Sequence, residues 1–228
     1  MTSLTEGDLN PGERYKFKRI LGKGSYGIVG AYTDKKTNQP VAIKMLHKLE
    51  DVIDAKRMLR EIRILNNFRH GNIIELKRVI YKEKEGQDFA EVYLITNLMD
   101  VDVNQLIRKS RDELSDDHIQ FIMYQIFRAM KYIHSGEVIH RDIKPSNILA
   151  DENCEIRICD FGFARQVADQ FGEMTEYVVT RFYRAPEVML DSQNYSKVLN
   201  SFYFFDFFIF SRILKIFCRI FLDFFPNF

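Results

Sequence analysis

The sequence predicts an α+β fold in two parts: a strand-rich N-terminal part crossed by one helix, then a mainly helical part after residue 100. Three observations carry this reading. Apolar runs of strand length, bounded by turn clusters, fill residues 15–46 and return at 91–98. Residues 51–68 switch to a helical period, with Met58, Leu59, Ile62, Leu65 and Phe68 recurring at helical spacing. A longer helical stripe begins at Ser115.

The elements follow in order. Ile20 and Leu21 lead into a glycine-rich turn, Gly22 to Gly27, and Ile28, Val29 and Ala31 resume the strand. The cluster 34–40 (Asp-Lys-Lys-Thr-Asn-Gln-Pro) is a turn, followed by a third apolar strand from Val41 to Leu46. After the helix at 51–68, Glu91 to Leu98 reads as a strand. Ser115 with Asp116 and Asp117 is a helix start, a capping hydroxyl followed by acids at the positive end of the dipole. Ile119, Ile122, Met123, Ile126, Met130 and Ile133 then hold one apolar face until Gly136 stops it. Residues 148–159 return to short strands, with a turn at Asp151 to Asn153.

Composition narrows the function classes. The chain has 228 residues, 33 Lys+Arg and 32 Asp+Glu, a net charge of +1. That length suits one domain, or two small lobes around one site. The balance argues against a basic nucleic-acid footprint, and 46% hydrophobic residues argue against disorder throughout. Cys154, Cys159 and Cys218 build neither a disulfide framework nor a Cys-x2-Cys zinc pair, and free thiols suit a reducing compartment. The polar start, with Glu6, Asp8 and Glu13, predicts no signal peptide.

The chemistry begins at Gly22-Lys23-Gly24-Ser25-Tyr26-Gly27, a G-x-G-x-x-G turn. Strand rather than helix follows it, so it reads as a hairpin whose backbone N–H groups approach phosphate oxygens, or as a plain tight hairpin. Lys44 lies in the otherwise apolar strand Val41-Ala42-Ile43-Lys44. Glu61 lies on the apolar side of the next helix, three residues after Met58 and four before Leu65, and an inward Glu needs a cation such as Lys44. A surface Glu and a solvent-facing edge lysine are the plainer alternatives. The segment His140-Arg-Asp-Ile-Lys-Pro-Ser-Asn147 is followed by Asp160-Phe-Gly162 and by Ala185-Pro-Glu187.

These five motifs, in this order, resemble the eukaryotic protein-kinase family. Thr175-Glu-Tyr177, with the run Arg181 to Leu190 behind it, is similar to the activation segment of mitogen-activated protein kinases of the extracellular signal-regulated type. The resemblance covers about residues 11–197. It implies a two-lobed fold, with an antiparallel sheet plus one helix in the N-lobe and a mainly helical C-lobe. It implies ATP and Mg²⁺ as cofactors and transfer of the γ-phosphate to protein Ser or Thr, before Pro. Lys44 would hold the α/β-phosphates and Glu61 would orient it. Asn147 and Asp160 would hold the metal, Asp142 would accept the hydroxyl proton, and Lys144 would face the γ-phosphate. The nucleotide would contact residues 22–27 with Leu21, Val29 and Ala42, then Thr96 at the gatekeeper position and the hinge backbone of Asn97 and Met99. Thr175 and Tyr177 would be phosphorylated by an upstream dual-specificity kinase, with Arg141, Arg165, Arg181 and Arg184 as local cations. His140 would fix the catalytic loop. Cys159 reads as a small buried residue, with a reactive thiol as the alternative. Protein substrates, no nucleic acid, a monomeric state and a cytoplasmic or nuclear location complete the expectation.

The domains expected are an extension at 1–14, an N-lobe at 15–97, a partial C-lobe at 98–197 and a non-family tail at 198–228. Phe163 and Phe182 stand where related kinases carry Leu and Trp. After Lys197 the resemblance stops, and the C-lobe is expected to be incomplete. Residues 202–228 hold 11 of the 20 Phe. Arg212, Lys215, Arg219 and Asp223 would form one stripe of a helix, so an amphipathic membrane-surface helix is one reading of the tail. Its charges interrupt any transmembrane span, and read-through from A/T-rich DNA is the other reading. The enzyme has one alternative from another class, a catalytically inactive fragment that binds ATP or an upstream kinase.

Overall fold

A computed structural model describes residues 9–24, 27–46, 52–83, 91–110 and 114–166. The chain divides into two units, Met1–Arg69 with Ile74–Met99, and His70–Ile73 with Asp100–Phe228. The motifs from Thr175 to Glu187, the cations Arg181 and Arg184, Cys218, the tail, and Ser25 and Tyr26 of the glycine turn lie outside the described residues.

The first unit holds a five-stranded antiparallel sheet and one helix. The strands are β1 (Tyr15–Gly24), β2 (Gly27–Asp34), β3 (Gln39–Leu46), β4 (Leu76–Lys82) and β5 (Glu91–Asn97), in the order β1-β2-β3-β5-β4. Helix α1 (Val52–Asn67) follows β3. Side chains alternate between the sheet faces with period two. Val41, Ile43 and Met45 of β3, with Tyr93 and Ile95 of β5, form one core together with Leu9, Tyr15, Ile28 and Tyr32. Leu46, Val92 and Leu94 form the other core, against Met58 and Ile62 of α1. By the same parity Lys44 belongs to the second face, the one α1 covers. The strand β4 escaped the sequence pattern because its residues are largely exposed and mixed in polarity. Of the helical stripe in α1, Leu65 is buried but Leu59 is half-exposed, so the stripe is narrower than its spacing suggested.

The second unit holds α2 (Val103–Lys109), α3 (Asp116–Ser135) and short strands among its described residues. The strands are β6 (Val101–Asp102), β7 (Val138–Ile139), β8 (Ile148–Ala150), β9 (Ile156–Ile158) and β10 (Arg165–Gln166). They pair as β6-β8-β9 and β7-β10, all antiparallel. Helix α3 starts where Ser115 predicts. The Ser115 Oγ accepts from the His118 N–H, and the Ser115 N–H donates to His118 Nδ1, a reciprocal cap with His in the usual Glu position. It ends at Gly136. The expected face is buried from Ile122 to Ile133, with Gln125 buried among the apolar residues. Helix α2 was not resolved by the sequence pattern, being only seven residues long. No helix among the described residues is long and apolar enough to cross a membrane.

Candidate active site

In the first unit the site residues hang from the centre of the sheet. β3 pairs with β2 on one side and β5 on the other, so Lys44 is not an edge lysine. Its Nζ donates to both Glu61 carboxylate oxygens, at 2.9 and 3.3 Å. Glu61 is buried, and Lys44 is about a quarter exposed. Both exposed alternatives, the edge lysine and the surface Glu, are thereby replaced by a partly buried ion pair. Val29 pairs opposite Lys44, and Ala42 lies opposite Thr96. Leu21, Gly22, Lys23 and Gly24 form the end of β1, with Gly24 opposite Gly27. Gly27 has φ +152°, and a Cβ there would stand 1.9 Å from the Met45 carbonyl oxygen. Only glycine fits that position. Thr96 donates from Oγ1 to the Asn97 carbonyl at 3.3 Å, and Thr96, Asn97 and Met99 are all half-buried.

The second unit gathers the residues of the segment His140–Asn147. Asp142 is 2% exposed. Its Oδ2 accepts from Lys144 Nζ at 2.8 Å and from Asn147 Nδ2 at 2.9 Å. Asn147 Nδ2 also donates to the Asp142 carbonyl at 2.9 Å. Burial raises the Asp142 pKa above the usual carboxylate range, against the opposing pull of Lys144. The carboxylate is therefore more proton-avid than an exposed one while its orientation is fixed by two donors. Pro145–Asn147 forms one turn of 3-10 helix, which folds Asn147 back onto Asp142.

Asp160 follows β9 directly. The Cys159 N–H donates to the Asn147 carbonyl at 2.9 Å, so the chain leading into Asp160 is tied to the catalytic loop. Asp160 has φ +64° and Arg141 φ +66°, both in the left-handed region that L-residues seldom adopt. Arg141 Nε donates to the Phe163 carbonyl at 2.7 Å, joining the loop to the segment after Asp160. His140 is fully buried. Its Nε2 donates to the Cys159 carbonyl at 3.1 Å, and its Nδ1 accepts from the Asp142 N–H at 3.3 Å. Those two partners select the neutral Nε2–H tautomer, and burial pushes the imidazole pKa down to about 4. Its ring meets Phe161 edge to face at 4.6 Å. Cys159 is only half-buried, a correction to the buried reading: its Sγ lies 3.4 Å from the Asn147 carbonyl, near the loop rather than within the core.

The donor chemistry fits a hard divalent cation. Asn147 directs Nδ2 at Asp142 twice, which leaves its Oδ1 without a hydrogen bond among the described residues, and this oxygen and the Asp160 carboxylate would suit such a cation. Lys44 Nζ is held by the Glu61 carboxylate.

Two buried side chains escaped the sequence reading. Asn72 and Gln125 hydrogen-bond to each other at 2.8 Å in the second unit. No local pattern links residues 53 apart; the one signal was an amide on the apolar face of α3.

The first unit carries a Lys–Glu pair, and the second an organised Asp-x-Lys-x-x-Asn loop leading to a second Asp, the features on which the resemblance to protein kinases rests. The protein kinase domain matches residues 15–202, and the chain belongs to the protein-kinase family. It is 47% identical to mitogen-activated protein kinase 5 of Arabidopsis thaliana over 183 residues, 80% of this chain and 48% of that protein. It is 46% identical to mitogen-activated protein kinase homolog NTF6 of Nicotiana tabacum over 181 residues, 79% of this chain and 48% of that one. It is 45% identical to extracellular signal-regulated kinase 1 of Candida albicans over 194 residues, 84% of this chain and 46% of that one. The chain spans about half the length of the curated relatives it matches.

Proposed function

We propose that the protein is a Ser/Thr protein kinase of the mitogen-activated type. It transfers the γ-phosphate of ATP to a protein Ser or Thr hydroxyl, before Pro, in the cytoplasm or nucleus, and acts as a monomer. The observation that carries this is the Asp142 carboxylate, buried yet held by Lys144 and Asn147 through a single oxygen. Its Oδ1 takes no hydrogen bond among the described residues and would receive the hydroxyl proton of the acceptor. The raised pKa favours that role, because a base closer to neutral pH takes a proton more readily in the transition state.

ATP with Mg²⁺, which protein kinases generally use, supplies the phosphoryl group and neutralises its charge. Asn147 Oδ1 and Asp160 would hold the cation. Lys44 would hold the α/β-phosphates, with Glu61 preventing the ammonium from swinging away. Lys144, while bonded to Asp142, presents its remaining protons to the transferred group. Residues 22–27, Leu21, Val29 and Ala42 would cover the nucleotide, and Thr96, Asn97 and Met99 would border its base. Phosphorylation of Thr175 and Tyr177 by an upstream dual-specificity kinase would switch the activity on, each phosphate adding about −1.5 to −2 charge for nearby arginines to bind.

The test is Asp142→Asn. The chain is treated with an upstream dual-specificity kinase, and peptide phosphorylation and ATP binding are measured together. The variant should lose phosphoryl transfer at least 100-fold, a general-base contribution of about 10²–10⁴, while binding ATP as the parent does. Parent-level turnover in the variant would refute the role. ATP binding without turnover in the parent would instead support a non-catalytic protein.

A further inference from the structure

The catalytic loop explains how Asp142 is held, but not what sets β9, the strand that delivers Asp160. Three hydrogen bonds from two buried amides converge on it and on the turn before it. Gln125 Oε1 accepts from the Ile156 N–H at 3.1 Å, and Asn72 Nδ2 donates to the Ile156 carbonyl at 3.1 Å. Gln125 Nε2 donates to the Cys154 carbonyl at 2.8 Å. The Asn72 carbonyl then accepts from the Ile158 N–H at 2.9 Å, and Ile73 bridges Ile158 in parallel. Thus the first residue of β9 is clamped on both its donor and its acceptor, and its last residue is held from the same segment.

The clamp also holds strain. Cys154 has φ +59° at the turn into β9, a left-handed position for a non-glycine residue, and the Gln125 amide fixes its carbonyl. Directly beyond β9, Cys159 bonds to Asn147 and His140, and Asp160 follows at φ +64°. A strand of three residues has little ladder of its own. A slip of one residue would turn every side chain to the opposite face and carry Asp160 with it.

One detail separates a positioning role from simple core filling. Asn72 Oδ1 is buried and has no hydrogen-bond partner among the described residues. Such orphans are rare and call for an explanation. An apolar pair of equal volume would avoid this orphan but would take their amide partners from the Ile156 N–H and from the Ile156 and Cys154 carbonyls. The amide is retained in the orientation that points Nδ2 at Gln125 and β9, at the expense of its own oxygen.

We propose that the buried Asn72–Gln125 pair is a positioning element for Asp160, fixing the register of β9 and so the place where its carboxylate meets a divalent cation. The proposal rests on the reading that Asp160 holds that cation. The two residues would touch neither nucleotide nor metal; they act through β9.

The test is a Mg²⁺ titration of the ATP-induced rise in Tm of the full 228-residue chain. Hydrogen exchange at the Ile156 and Ile158 amides is followed alongside. Asp160→Asn should remove the Mg²⁺-dependent part of the rise. If it does not, the cation role of Asp160 fails, and the proposal falls with it. With that control in place, Gln125→Met should raise the Mg²⁺ midpoint about tenfold, the low end for loss of a ligand's own hydrogen-bond partner, because Gln125 acts one step further away, through β9. The rise with ATP alone should stay as in the parent, and exchange at Ile156 should accelerate. Gln125→Glu keeps an oxygen for Ile156 and Asn72, and should fall between the two. Should Gln125→Met not fold, Asn72→Ala is measured instead, since it spares both Gln125 bonds to the β9 hairpin. Variants that lower the Tm of the nucleotide-free chain but leave the Mg²⁺ midpoint at the parent value would overturn the proposal and reduce the pair to packing.

Discussion

Acidification should weaken the fold, with His140 the largest contributor. The imidazole is fully buried, donating from Nε2 to the Cys159 carbonyl and accepting at Nδ1 from the Asp142 N–H. A proton added at Nδ1 would point one N–H at another, so the charged form loses a hydrogen bond as well as its hydration. The pKa accordingly falls from 6.5 to about 4, burial being the main cause. Between those values the unfolded chain binds the proton and the folded chain does not, so stability falls as pH falls. Over the interval from pH 7 to pH 5, a shift of that size is worth about 2 kcal/mol. Two other groups titrate nearby: His70, also depressed by burial, adds to the loss, and Asp142, raised by burial, opposes it at the acid end. The clean quantity is therefore a difference. Urea unfolding of the parent and of His140→Phe is measured at pH 7 and pH 5, and the parent should lose about 2 kcal/mol more than the variant. The variant will be weaker at pH 7, because Asp142 N–H and the Cys159 carbonyl lose a partner. Equal losses in the two proteins would refute the buried, neutral imidazole.

Lys44→Met leaves the buried Glu61 carboxylate without its cation; with Lys44 a quarter exposed, we expect a stability loss on the order of 1–3 kcal/mol by chemical denaturation, together with loss of ATP-dependent thermal shift, and an unchanged Tm would show that the pair is not formed. Gly27→Ala forces a methyl against the Met45 carbonyl in the β2–β3 ladder and should cost about 1–3 kcal/mol, whereas Gly22→Ala meets nothing within 4 Å and should stay within about 0.5 kcal/mol of the parent; Tm values in the reverse order would contradict the assigned register.

How much of this was legible in the sequence depended on how far apart the partners lie. Asp142, Lys144 and Asn147 meet across two and five residues, so the order of residue types already contains the geometry. The Lys44–Glu61 pair, 17 residues apart, required a helical period to bring the Glu inward, and the period supplied it. Ser115 and Gly136 marked the ends of α3 because capping is local chemistry. The strand β4 was invisible because its side chains are mostly exposed and carry no alternation. Asn72 and Gln125 were invisible for a different reason: a hydrogen bond between buried amides 53 residues apart leaves no periodic trace. Leu59 shows the reverse error, an apolar residue at helical spacing that the fold leaves half-exposed.

Strain and hydrogen bonding meet at the same points of this site. Arg141 and Asp160 both hold left-handed backbone without being glycine, each at a cost of about 1–3 kcal/mol. The His140 ring ties down a neighbour of each: the Asp142 N–H just after Arg141, and the Cys159 carbonyl just before Asp160. A single rigid side chain thereby spans both strained positions, and Arg141 closes the circuit by donating to the Phe163 carbonyl. Each such bond contributes about 0.5–1.5 kcal/mol net, so the set is comparable to the strain it opposes and does not exceed it by much. The local conformation therefore depends on the bonds being intact together. Protonating His140 removes one of them, which is why an imidazole that touches no reacting atom should still govern where both carboxylates stand.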